Sequence, residues 1–260
     1  MNPTTLTELL TQLRLPGMRD ALERQERTGE HTLTFYDRLH LLLEAEYLTR
    51  CNHRLSTRLR QARLHECVAI DTLHFAAARQ LSKVLCLELA KCQWVKLPQN
   101  ILISGATGTG KTYLACALGH QSCVQDYSCR YYRLPRLLHE FQMADANGTF
   151  SKLLLSLSKV DVLILDDWGL SALTDKQRRD LLELFDDRYH TRATIITSQL
   201  PVKHWHEYIG EATLADAILD RLIHGARQIE LKGPSLRSKK EEIAKEKDDT
   251  KEDTLLTTTD

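Results

Sequence analysis

A chain of 260 residues balanced at 35 basic and 35 acidic side chains has no global positive field, so any role with nucleic acid falls to local basic patches. An apolar content of 42% suits a globular protein with one large and one smaller domain, and no apolar run reaches membrane-spanning length. Met1-Asn2-Pro3-Thr4-Thr5 opens no signal peptide, and seven cysteines without a Cys-x-x-Cys pair predict free thiols in a reducing cytoplasm, not a disulfide framework or zinc site.

Residues 1–75 show only helical periodicity, with Leu6, Leu9, Leu10 and Leu13 first, then Leu39 through Leu43, Tyr47 and Leu48. They predict a small all-α domain for partner or DNA interaction, punctuated at Pro16-Gly17 and Thr28-Gly29. Arg50, Arg54 and Arg58 recur at i, i+4 and i+8, joined by His53, Arg60 and Arg63, with no acid between Glu46 and Glu66. Such a run is either a solvated helix face or a stripe for phosphates.

Residues 76–237 alternate short apolar strands with amphipathic helices, the pattern of an α/β domain whose parallel sheet is covered on both faces. Strands are expected at 100–104, 127–133, 160–166, 193–198 and 226–232. After the first comes Gly105-Ala106-Thr107-Gly108-Thr109-Gly110-Lys111-Thr112, which is Gly-x-x-x-x-Gly-Lys-Thr with every position filled. Such a loop turns backbone N–H groups onto phosphates, while Lys111 reaches the β- and γ-phosphates and Thr112 offers its hydroxyl to Mg²⁺. Tyr113 begins a helix whose N-terminal dipole favours the same anion, and it completes the expected nucleotide-binding set.

The second strand carries Arg130-Tyr131-Tyr132-Arg133, followed by Arg136. These arginines are DNA-contact candidates, and the tyrosines are equally ordinary strand packing. Leu134–Ala146 and Phe150–Ser158 read as two helices broken at Asn147-Gly148. Val160-Asp161-Val162-Leu163-Ile164-Leu165-Asp166-Asp167 is an apolar strand ending in two carboxylates, Asp166 for the Mg²⁺ sphere and Asp167 to orient or deprotonate a water. Ser198 and Gln199 end the fourth strand, where ligands of a parallel sheet sit, and either can face the γ-phosphate or serve the turn before Pro201. Arg221 closes a helix as a surface ion beside Asp220 or another carboxylate, or as an arginine for a neighbouring subunit's nucleotide. From Ser238 onward the chain is a charged run that predicts disorder.

Together, Gly105–Thr112, Asp166-Asp167-Trp168-Gly169, Thr197-Ser198-Gln199-Leu200-Pro201, Ala215–Leu222 and Leu231–Arg237 resemble the IstB family. These are ATP-binding helpers of insertion-sequence transposons, related to DnaC helicase loaders within the AAA+ ATPases. Leu13–Met18 and Leu41–Glu46 resemble that family's helical domain. The resemblance implies strand order 5-1-4-3-2 and a helper that assembles on double-stranded DNA with little sequence preference and recruits the transposase of its element; the chain departs from the AAA+ pattern in length, because the sequence expected after the fifth strand leaves no room for a helical lid domain. The resemblance also implies a cytoplasmic homo-oligomer using ATP and Mg²⁺, with Lys111, Asp167, Gln199 or Ser198, and Arg221 as catalytic residues. A replicative helicase loader is the alternative. No Asn-Lys-x-Asp guanine motif occurs, which argues against a GTPase.

Overall fold

The computed structural model describes residues 3–28, 33–72 and 81–235, which divide between two compact units, Met1–Arg60 and Gln61–Asp260. The domain boundary expected at 75–76, Arg237 and the run from 238 onward lie outside the described residues.

The first unit holds α1 (Pro3–Gln12), α2 (Pro16–Thr28) and most of α3 (Phe35–Ala62). Pro16 opens α2 where its missing N–H costs nothing. The Glu46 carboxylate of α3 accepts the free N–H groups of Gly17 at 2.8 Å and Met18 at 3.2 Å, and also Arg50 Nε at 2.7 Å. Burial alone raises the Glu46 carboxyl, but Arg50 and the two N–H groups outweigh it and hold it below its usual value. Gly17 is required here, because a Cβ would lie 2.6 Å from the Ala45 carbonyl oxygen.

In the second unit, a 3-10 turn at Ile70–Thr72 precedes α4 (Lys83–Ala90) and α5 (Gln93–Lys96). The chain then alternates through β1 (Ile101–Gly105), α6 (Lys111–Val124), β2 (Cys129–Arg133), α7 (Leu134–Ala146), α8 (Phe150–Ser158), β3 (Val162–Trp168), α9 (Asp175–Arg188), β4 (Ala193–Ser198), α10 (Trp205–Ile209), α11 (Ala212–Ile223) and β5 (Arg227–Leu231). The sheet is parallel in the order β2-β3-β4-β1-β5, which is 5-1-4-3-2 read from the other edge.

Local chemistry explains the boundaries. Pro135 stands in the first turn of α7, and Gly148 turns the chain at φ +65° between α7 and α8. A capping box opens α9: Gln177 N–H donates to Thr174 Oγ1 at 3.3 Å and Thr174 N–H to Gln177 Oε1 at 3.0 Å. Both central strands are buried along nearly their whole length, as in a sheet covered on two faces. Trp168 at the end of β3 packs among Phe185, Trp205 and Tyr208, so the strand outruns its expected end at 166. Five buried cysteines are free thiols: Cys86, Cys92, Cys116, Cys123 and Cys129.

Candidate nucleotide site

The carboxyl ends of β1, β3 and β4 lie side by side, and this juxtaposition gathers the chemistry. The phosphate loop leaves β1 at Gly105, where a Cβ would stand 2.3 Å from the Leu231 carbonyl oxygen; at Gly108 it would stand 2.1 Å from Ser235 Oγ. Both glycines adopt positive φ, +150° and +82°, so neither tolerates a side chain. Lys111 donates to the Ala106 carbonyl at 2.8 Å, which brings its ammonium back over the loop. Thr109 is buried and bonds the same carbonyl at 2.8 Å, pinning the turn. Tyr113 lies 3.2 Å from Thr72 Oγ1, hydroxyl to hydroxyl.

Asp166 is 4% exposed and takes hydrogen bonds from three hydroxyls. Thr112 donates at 2.9–3.0 Å, Tyr131 at 2.7 Å, and Thr197 also donates. A carboxylate and a threonine hydroxyl, oxygen donors only, fit a hard cation such as Mg²⁺, and the glycine cradle beside them fits its phosphates. Asp167 sits at φ +63° where the β3–β4 register shifts, and its carboxylate pairs with Arg133 Nε at 2.7 Å.

Gln199 and Ser198, adjacent in sequence, part here. Gln199 Oε1 accepts from Thr107 of the loop at 2.9 Å. The Ser198 hydroxyl is 1% exposed, donates to the Trp168 carbonyl at 2.7 Å and accepts the Leu200 N–H at 3.0 Å. Of the two residues expected at the γ-phosphate, Gln199 is the one bonded to the loop, while the Ser198 hydroxyl bonds backbone at the end of the sheet. Two contributors escaped sequence reasoning, Tyr131 and Thr197. Every residue of β4 is buried, so no alternation of polarity set Thr197 apart.

Arg221 is remote from this cluster. Its backbone carbonyl accepts from Asn100 Nδ2 at 3.0 Å, at the opposite end of β1 from Gly105. The strand between spans about 17 Å at its usual rise per residue. The Arg221 guanidinium pairs with Asp186 of α9 and donates to the Ala217 carbonyl at 2.7 Å, so Asp220 is not its partner.

The DNA candidates are scattered in circumstance. Arg50 pairs with Glu46 at 2.7 Å inside the first unit, Arg54 donates to Cys51 Sγ at 3.4 Å, and Arg58 lies on the same helix. Arg136 pairs with Glu140 at 3.6 Å, Arg133 is taken by Asp167, and Arg130 is half-buried on β2.

A sequence profile of the IstB-like ATP binding protein matches residues 8–244. The chain belongs to the IstB-like family. This IstB-like chain is similar to the insertion sequence ATP-binding protein y4pL of Sinorhizobium fredii (strain NBRC 101917 / NGR234), at 44% identity over 90% of this chain and 95% of that one. It is also similar to the ATP-binding protein of insertion sequence IS1162 from Pseudomonas fluorescens, at 47% identity over 77% of this chain and 87% of that one. Among solved structures it resembles the DnaC helicase loader, with a TM-score of 0.53 at 21% identity, over 63% of this chain and 96% of that one. That likeness is one of fold. The family is one of ATP-binding proteins tied to insertion sequences, and no helix among the described residues is long and apolar enough to cross a membrane.

Proposed function

We propose that this IstB-like protein is an Mg²⁺-dependent ATPase that assembles on double-stranded DNA and recruits the transposase of its element, with hydrolysis resetting the assembly. The observation that carries the ATPase reading is the meeting of Lys111, Thr112, Asp166 and Asp167 at one end of the sheet, with Gln199 bonded to the same loop. Lys111 and the loop N–H groups neutralise the phosphates, while Thr112 and Asp166 hold Mg²⁺. When bound, that ion offsets charge on the phosphate oxygens. Asp167 orients the attacking water and takes its proton, and Gln199 steadies that water against the γ-phosphate. Arg221, remote from its own loop, serves the nucleotide of a neighbouring copy. Insertion-sequence relatives of nearly full length support a transposase as partner over a replicative helicase.

Binding of a DNA duplex, followed with and without ATP over a salt series, tests this reading. ATP-dependent binding that weakens steeply with salt and varies little with sequence is expected. Lys111→Ala, stripped of a charge-assisted contact worth about 1.5–3 kcal/mol, is expected to lose nucleotide affinity and DNA assembly together. Wild-type ATP affinity in that variant rejects the site. Co-purification with a helicase and not with the element's transposase favours the loader alternative.

A further inference from the structure

The buried carboxylate of Asp166 is bracketed from both sides of its strand. β3 lies between β2 and β4, and each neighbour sends one hydroxyl: Tyr131 to Oδ2 at 2.7 Å and Thr197 to Oδ1. Thr112 spans both oxygens from the start of α6. All three donors are neutral, so they orient the carboxylate without cancelling the charge a cation needs. Thr112 is itself a proposed metal ligand, and Thr197 also accepts the Asp167 N–H at 3.4 Å. The phenol of Tyr131 ends on Asp166 alone among its hydrogen bonds within the described residues.

We propose that Tyr131 is a positioning residue for the metal site, fixing Asp166 in the rotamer in which it and Thr112 take Mg²⁺ together. This rests on the ATP-and-Mg²⁺ reading of the site and adds a residue to it. A carboxylate free to rotate loses orientational freedom when it takes a metal, and a pinned one has already lost it. Tyr131 is well placed to pin. It is 8% exposed, and its ring stacks on His65 with centroids 6.2 Å apart and planes 17° apart. Tyr132, the next residue, is equally buried yet pairs with Leu165 in register and bonds nothing at Asp166.

The experiment is Mg²⁺ titration of the binding of a fluorescent ATP analogue to the full chain carrying Tyr131→Phe, which keeps the ring and deletes the hydroxyl. Metal-free affinity is expected to stay within about twofold of wild type while the Mg²⁺ midpoint rises about tenfold, equivalent to ~1.4 kcal/mol. Tyr132→Phe is expected to leave the midpoint unchanged. A midpoint for Tyr131→Phe within about twofold of wild type overturns the proposal, and so does an equal rise in Tyr132→Phe, which signals general loosening. If Tyr131→Phe does not fold, His65→Ala, which removes the stacked ring and keeps the phenol, is expected to raise the midpoint by a smaller factor, and an unchanged midpoint there overturns the proposal. Wild-type protein that binds no nucleotide, or binds it without regard to Mg²⁺, overturns the underlying reading as well. A wild type that responds to Mg²⁺ beside an indifferent Tyr131→Phe overturns the role of Tyr131 alone.

Discussion

Asp167 is held in an ion pair whose arginine is 59% exposed, and that exposure decides how the pair behaves. An open pair of this kind is worth at most about 1 kcal/mol, so phosphates competing for Arg133 can displace it cheaply. The residue expected at a DNA surface is thus the one bonded to the residue expected at the water. Asp167→Asn keeps size and removes the base, and is expected to bind ATP normally while turnover falls at least about tenfold. Arg133→Ala is expected to leave thermal stability within about 2–3 °C of wild type, as befits a pair worth under 1 kcal/mol. Steady-state ATPase assays of Arg133→Ala are expected to show faster turnover without DNA, because the carboxylate is released, and a smaller gain on adding DNA. Unchanged turnover in both conditions means that Arg133 does not restrain Asp167.

At the scale of elements, two buried charged groups tie separate segments together. Arg188 at the end of α9 is 2% exposed and donates to the carbonyls of Leu157 at 2.6 Å and Val160 at 2.8 Å, to Ala193, and to Thr194 Oγ1 at 3.1 Å. Burial, helped by the charge of Arg192, pulls its guanidinium down to about 9. Arg188→Ala strands those acceptors at the junction of α8, β3 and β4, and denaturant unfolding is expected to show a loss of at least about 3 kcal/mol. Glu46 plays the equivalent part in the first unit, and Glu46→Ala is expected to cost about 1–2 kcal/mol as a lost helix cap. Its folded-state carboxyl is depressed, so the stability it supplies is complete above the ordinary glutamate range and is lost as pH falls through the lower folded value. Unfolding measured from pH 7 downward is expected to show that loss in wild type and not in Glu46→Ala.

These ties also mark what the chain discloses in advance. The phosphate loop, the paired aspartates and the break at Asn147-Gly148 were legible because each is chemistry written in consecutive residues. Helices at 134–146 and 150–158 match the expectation for the same reason. Tyr131, Thr197 and Arg133 reach the two aspartates only through strand order and register, with Arg133 opposite Asp166, and no local pattern encodes that pairing. Arg188 was invisible too, since an arginine ending a helix rich in charges of both signs reads as solvated until the fold closes over it.

At the scale of the whole molecule, the position of Arg221 excludes a role at its own nucleotide. Asn100 ties the carbonyls of Arg221 and Leu222 to the beginning of β1, at 3.0 and 3.1 Å, while the phosphate loop begins where that strand ends. No rotamer of arginine crosses about 17 Å of sheet. Either Arg221 is only the partner of Asp186, or it acts across a boundary between copies, where an arginine adds roughly 10³–10⁵ to phosphoryl-transfer rates. Variants mixed in one assembly separate these. Arg221→Ala subunits keep an intact nucleotide site, and Asp167→Asn subunits keep an intact arginine. Each alone is expected to bind ATP and hydrolyse little. Mixed at equal concentration on DNA, they form some boundaries with a wild-type site facing a wild-type arginine, and about a quarter of the boundaries are of that kind if mixing is random. Partial recovery of turnover, peaking near equal proportions, is the expected outcome. Co-assembly on DNA without any recovery reduces Arg221 to a structural ion pair, and Asp186→Ala then becomes its equivalent in every measurement of stability.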